Sequence, residues 1–217
     1  MTRAEFAKSL RSLSAVLDDL GILQQVYNTS PLKPSNEFRS YALSAMPRYP
    51  ELFKIGLRNR DYNVLLNDYS YFQFAHSGEG ASLSVRSAFY LNPFIPIDWA
   101  EFENLVAVLG YEDVFQLLDE QGENPRAIVV RYDVAIGDYV KLRHPASHFH
   151  FGLHEESRWA VDKVLTPLTF GLLIIKLFYL DSWSNDLDER LARAKSECAK
   201  LEAVHFSDAE KKQPHLT

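Results

Sequence analysis

The stretch "DYSYFQFAHSGEGASLSVRSAFYLN", Asp68 to Asn92, decides the fold. Two runs rich in aromatic and β-branched residues flank the glycine-bearing "SGEG", which is a hairpin signal. Side chains alternate along a strand, so in the second run Leu83, Val85, Ser87, Phe89 and Leu91 share one face. Ser84, Arg86, Ala88 and Tyr90 take the other. A hairpin pairs its strands antiparallel, so the sheet built on it is mainly antiparallel.

Two further strands follow. "RAIVVRYDV", from Arg126, is a compact β-branched run after a turn, and "SHFHFGL", from Ser147, alternates. Helices surround this group. Thr2 and Glu5 form a capping box ahead of a helix over residues 3–20, whose stripe is Phe6, Leu10, Leu13, Val16, Leu17 and Leu20. "NTSPLKPSNEF" reads as a loop and "YPELFKIGLRNR" as a short helix with Pro50 in its first turn. Asp98 caps a helix beginning near Trp99, and "YEDVFQLLDEQG" forms the next. In "TPLTFGLLIIKLFY", Thr166 caps and Pro167 opens a helix over 167–180. That helix is apolar nearly all round, as suits a buried one packed on the sheet. Residues 187–204 form a peripheral amphipathic C-terminal helix with Leu187, Leu191, Ala194 and Cys198 on one stripe, and 206–217 a flexible tail. Strands grouped rather than alternating with helices specify an α+β fold: one domain over 1–217, a mainly antiparallel sheet on a buried apolar helix, with N- and C-terminal helices.

The chain has 217 residues, 47% of them hydrophobic, enough for one well-buried core. A formal charge of −6 excludes a general basic DNA-binding surface. The single Cys198 excludes an internal disulfide and fits a cytoplasmic protein. The N-terminus has no apolar core of a secretory signal, and the longest apolar run is too short for a bilayer, so no membrane is expected.

Histidine is concentrated in one place: of the seven in the chain, His144, His148, His150 and His154 fall within "RHPASHFHFGLHEE". Along the strand His148, His150, Gly152 and His154 share a face, while Ser147, Phe149, Phe151 and Leu153 point to the core. His-x-His suits metal ligation by His148 and His150, and equally general acid–base work, because imidazole titrates near neutrality. His144 precedes Pro145, and a turn there sets its aim. In "VVRYD", Arg131 and Asp133 share a face; if the two strands are neighbours, an arginine, an aspartate and two histidines meet. Arginine holds phosphate or developing negative charge, and aspartate orients an imidazole or ligates a metal. Such a set suits phosphodiester cleavage, metal-free or with a divalent metal.

Each residue also has a plainer reading. His148 and His150 could form the solvated face of a half-covered sheet, Asp133 could cap a turn, and Arg131 could make an ordinary ion pair. His154 beside Glu155 and Glu156 suits an exposed turn, His76 a hairpin end, and Cys198 simple packing. The G-x-S-x-G, phosphate-loop, G-x-G-x-x-G, C-x-x-C and H-E-x-x-H motifs are absent.

"RYD", "HPASHFHFG" and "LTPLTFGLLIIKLFY" together resemble an uncharacterised bacterial family, one of the domains of unknown function, from about the first hairpin through the apolar helix. That family carries no assigned activity. Residues 83–152 are also similar to TumE-like toxins of toxin–antitoxin pairs, which have an arginine-tyrosine-aspartate strand followed by a proline and close histidines. This second resemblance implies an RNA-directed toxin or phage-defence protein whose site is Arg131, Asp133, His148, His150 and His144. Two functions follow as expectations: a nuclease-like hydrolase acting on RNA, or a non-catalytic, antitoxin-like or accessory subunit that binds a protein partner through its sheet or C-terminal helix. A structural metal site is a third.

Overall fold

The computed structural model describes residues 1–94, 99–153 and 158–212. The expected cap at Asp98 and the turn at His154 lie outside the described residues. Seven strands form one sheet: β1 (Leu23–Val26), β2 (Val64–Leu66), β3 (Tyr71–Ser77), β4 (Ser84–Tyr90), β5 (Val129–Ala135), β6 (Ser147–Phe151) and β7 (Trp159–Ala160). Each pairs antiparallel with the next in sequence, so spatial order equals chain order. The expected mainly antiparallel sheet is present. The short strands β1, β2 and β7 extend it on both sides of the four strands legible in the sequence.

Both faces of the sheet are covered. On one lie α1 (Arg3–Asp19), α6 (Pro167–Phe178) and α7 (Asn185–Glu197); on the other, α2 (Asn36–Ala42), α3 (Tyr49–Arg58), α4 (Trp99–Leu109) and α5 (Tyr111–Gln121). The capping box at Thr2 forms, with the Glu5 amide donating to Thr2 Oγ1 at 3.2 Å. Phe170 of α6 is fully buried and packs on Phe72, Phe74, Tyr132 and Phe149 of the sheet. Its helix is therefore the buried one expected, although the last turn emerges and leaves Leu177 61% exposed. The opposite core is aromatic, built around Phe53, Tyr71, Tyr90, Phe94, Phe102 and Phe115. Two filled faces explain why so many aromatics are needed in one chain.

The loop expected over residues 28–38 gives way to α2, capped by the Ser35 hydroxyl, which accepts from the Phe38 amide at 3.1 Å. The C-terminal helix is shorter than 187–204. It ends at Cys198, and β9 (Ala199–Lys200) then pairs with β8 (Lys163–Val164). The expected flexible tail is docked over its first part: Phe206 is 5% and Glu210 1% exposed. A carboxylate that deep survives only with donors around it. Glu210 accepts from the Tyr139 hydroxyl, the Leu142 amide, and the Ser207 amide and hydroxyl. It thus pins the β5–β6 connection, residues 136–146, to the C-terminal segment. Among the described residues no helix is long and apolar enough to cross a membrane.

Candidate functional site

The register of three central strands builds the site. Arg86 of β4 faces Asp133 of β5, which faces His148 of β6; Ala88 faces Arg131, which faces His150. All five polar residues fall on the face away from α6, because the alternation that buries Val130, Tyr132, Val134 and Phe149 sends them the other way. Arg131, Asp133, His148 and His150 therefore come together as the alternation anticipated.

Asp133 is the hub. Arg86 Nε donates to its Oδ1 at 2.8 Å and Arg131 Nε to its Oδ2 at 2.8 Å, while His150 Nε2 lies 3.6 Å from Oδ2. Burial works to raise the Asp133 carboxyl, but the two guanidinium groups outweigh it and hold it below the ordinary carboxylate value. Arg86 is the solvent-facing member, its side chain 63% exposed against 32% for Arg131. Sequence reasoning placed Arg86 on this face without assigning it to the site. The signal that would have found it is the pairing of β4 with β5.

The histidines are not a solvated row. His148 is 1% and His150 4% exposed, which overturns the reading of a wet sheet face. The rings of His148 and His150 lean together, edge to face, with centroids 4.7 Å apart, closer than the roughly 7 Å of two strand residues. His144 closes over them from the 136–146 connection. Its ring stands 5.1 Å from that of His148, and its Nδ1 is buried with no hydrogen-bond partner among the described residues. His148 Nδ1 lies 2.8 Å from the Pro145 carbonyl oxygen. A carbonyl only accepts, so Nδ1 carries the proton and Nε2 keeps a lone pair. Burial foremost, and then neighbouring His150, push the His148 pKa down to about 4. His148 is neutral at pH 7.

One ligand atom each from Asp133, His148 and His150 lies within 4.8 Å of the others, a set with the donor types of a metal centre. The charges around it are less favourable. Two guanidinium groups donate to the carboxylate that would anchor the ion, so its charge is largely spoken for and the fixed charges do little for a cation. For an anion beside Arg86 and Arg131 they do not cancel, and binding gains.

The 136–146 connection sets His144 and the Pro145 carbonyl against His148. Glu210→Ala removes the acceptor of four hydrogen bonds, and we expect it to cost about 1–3 kcal/mol of local stability. Amide exchange across residues 139–146 then quickens, as does modification of the histidines by diethyl pyrocarbonate. Unchanged rates would show that the segment is held by something other than Glu210.

With this geometry established, the chain can be set beside known families. It belongs to the family described as an uncharacterized conserved protein, DUF2290, whose model matches residues 22–217. The match begins well ahead of the first hairpin and runs past the apolar helix. No curated protein matches the chain. No solved structure matches it. Nothing in these comparisons supports the likeness to TumE-like toxins, or an assignment to phage defence.

Proposed function

We propose that this member of the DUF2290 family is a phosphodiester-cleaving hydrolase acting on RNA, with its site at His148, His150, Asp133, Arg131 and Arg86. One observation carries the reading. Two imidazoles in contact, one held neutral by burial and the other beside a carboxylate, share a surface with two arginines fixed by that carboxylate. The neutral ring keeps an Nε2 lone pair that can accept a proton, weakly basic at a pKa of about 4, and the carboxylate-flanked ring suits a general acid. The arginines suit the phosphate.

The chemistry needs no metal. His148 Nε2 takes the proton of a ribose 2′-hydroxyl, and the 2′ oxygen bonds to phosphorus. The bond from phosphorus to the 5′ oxygen breaks, and that oxygen takes a proton from doubly protonated His150. Asp133 stabilises the imidazolium before transfer, and Arg86 with Arg131 hold the charge on the phosphoryl oxygens. The first products are a 2′,3′-cyclic phosphate and a 5′-hydroxyl; hydrolysis is completed when a water gives its proton to the now neutral His150 and bonds to phosphorus, and the departing 2′ oxygen takes back the proton held by His148. DNA, lacking the 2′-hydroxyl, is not cleaved by this route. The substrate reaches the buried imidazoles once the connection bearing His144 lifts.

Purified protein incubated with single-stranded RNA in EDTA tests this. We expect cyclic-phosphate ends, a resistant 2′-deoxy control, and at least a 10²-fold loss in His148→Ala. RNA left whole, or cut equally by a folded His148→Ala, His150→Ala double variant, refutes it. Cleavage that stops in EDTA and returns with Mn²⁺ would make Asp133, His148 and His150 metal ligands instead.

The burial of both histidines supports a second reading, in which the cluster braces the sheet and the protein works by binding another protein. Leu43 and Met46, 86% and 87% exposed at the end of α2, are the surface such a partner would cover. Intact folding and full partner capture by the double histidine variant would favour it.

A further inference from the structure

We propose that a cavity at the far end of the same sheet face binds a purine base, guanine in preference to adenine. The idea rests on the RNA reading for the source of the base, but its geometry is separate from the histidine site. The cavity lies between the β2–β3 turn and helices α3, α4 and α5, with a volume of about 250 Å³. An apolar cavity of about 150 Å³ takes benzene, so this one has room for a bicyclic ring.

Its walls are aromatic: Phe53, Tyr69, Phe94, Phe102 and Phe115. Tyr69 and Phe102 approach to 4.2 Å between centroids at 57°, and Phe53 meets Phe94 at 69°, so both faces and edges of rings are presented. Tyr69 is held there at φ +67°, a conformation unusual for a bulky residue, which aims its ring at Phe102. Such walls stack planar ligands with little regard to their edges.

The edge is read by Asp68. Its carboxylate accepts from the Ser70 amide and hydroxyl and from the Tyr179 hydroxyl. Among the described residues no cation lines the cavity: Lys54, 5.6 Å from the Phe94 ring, is paired with Glu51 and Asp119. Burial accordingly raises the Asp68 carboxyl despite the hydrogen bonds from the Tyr179 hydroxyl, from Ser70 and from its own backbone amide. A base edge rich in N–H supplies what is missing. Guanine offers N1–H and N2–H side by side. Adenine sets an acceptor, N1, beside its amino group, and that acceptor would confront the carboxylate. Capping the turn explains the two bonds from Ser70, but not why five aromatic rings line an open space beside the carboxylate. Exposed Asn67 stands at its rim. Asn92, also in the lining, lies six residues beyond Arg86 and two past the end of β4, about 20 Å if the chain stays extended. That distance is a few nucleotides of extended RNA.

The test is a calorimetric titration of the full chain, as its His148→Ala variant, with the four nucleoside 5′-monophosphates and with ribose 5-phosphate. We expect GMP to bind, AMP at least tenfold more weakly, CMP and UMP more weakly again, and ribose 5-phosphate not at all. Leu118→Trp, which fills the cavity, and Phe102→Ala, which removes a wall, should each abolish binding with the fold kept. Asp68→Asn should erase the guanine preference. Equal binding of ribose 5-phosphate, undiminished binding in either cavity variant, or displacement of GMP by tetramethylammonium overturns the proposal. Tighter binding of a guanine-containing RNA trimer than of GMP identifies RNA as the source, and the reverse a free nucleotide. GMP binding by a protein that cuts no RNA leaves this pocket standing while the hydrolase reading fails; cleavage without GMP binding does the opposite.

Discussion

Replacing Asp133 with alanine should lower the folding free energy by about 2–4 kcal/mol and abolish any cleavage of RNA. The carboxylate is 8% exposed and joins three strands: Arg86 on β4, Arg131 on its own strand, and His150 on β6. Removing one partner of a buried pair leaves the other charged and unpaired, which costs more than the pair itself contributes. The cost here falls unequally. Arg86, with 63% of its side chain in water, turns outward and loses little. Arg131, half as exposed, stays where its positive charge lacks compensation. The converse substitution is therefore mild: Arg86→Ala should cost under about 1 kcal/mol. Asp133→Asn keeps the shape but not the charge, and should fall between. Urea unfolding of the three variants at pH 7 measures the order. If Arg86→Ala proves as damaging as Asp133→Ala, the carboxylate is not the hub and the solvent-facing pair is.

The histidine cluster was legible because two-residue periodicity is a local property. Once Ser147–Phe151 is a strand with Phe149 inward, His148 and His150 must share the opposite face. The pairing of β5 with β6 was also within reach, since consecutive strands usually neighbour one another. What lay beyond the sequence was set by packing. The contact of His144 with the His148 ring rests on a connection pinned by Glu210, more than sixty residues further along the chain. No periodicity announces a contact of that range. The two-residue strands β7, β8 and β9 have no pattern of their own; pairing alone defines them. Arg86 was on the correct face by alternation, but its role waited on Asp133 arriving opposite. The helical stripe through Cys198 ends where it does because that residue takes an extended backbone, with its Sγ against the Ala194 carbonyl and the Thr169 hydroxyl. Hydrophobic spacing does not encode that stop.

Acid should loosen this protein earlier than carboxylate titration alone would. The folded His148 has a pKa of about 4, against the ordinary 6.5 that the unfolded chain provides. Between those values the unfolded state binds a proton that the folded state refuses. Stability therefore falls as pH drops from 6.5 toward 4, is complete above that window, and by its lower end has lost about 3 kcal/mol. Desolvation is the principal cause, and the neighbours sharpen it. His150 and His144 face the same ring, so a proton on either makes another on His148 costlier, and Asp133 offsets only part of this. Asp133 acts lower on the scale. Its folded value lies below the ordinary one, so its contribution is present above about pH 4 and is lost as pH falls through the folded value. The two groups thus predict a decline in two stages. His148→Gln, which cannot titrate, should flatten the first stage and leave the second, whereas Asp133→Asn should remove the second. Urea unfolding at half-unit steps from pH 7 to 2 separates them. A His148→Gln protein that loses stability between pH 6.5 and 4 as steeply as the parent would place the titrating group elsewhere, and with it the neutral imidazole on which the acid–base reading depends.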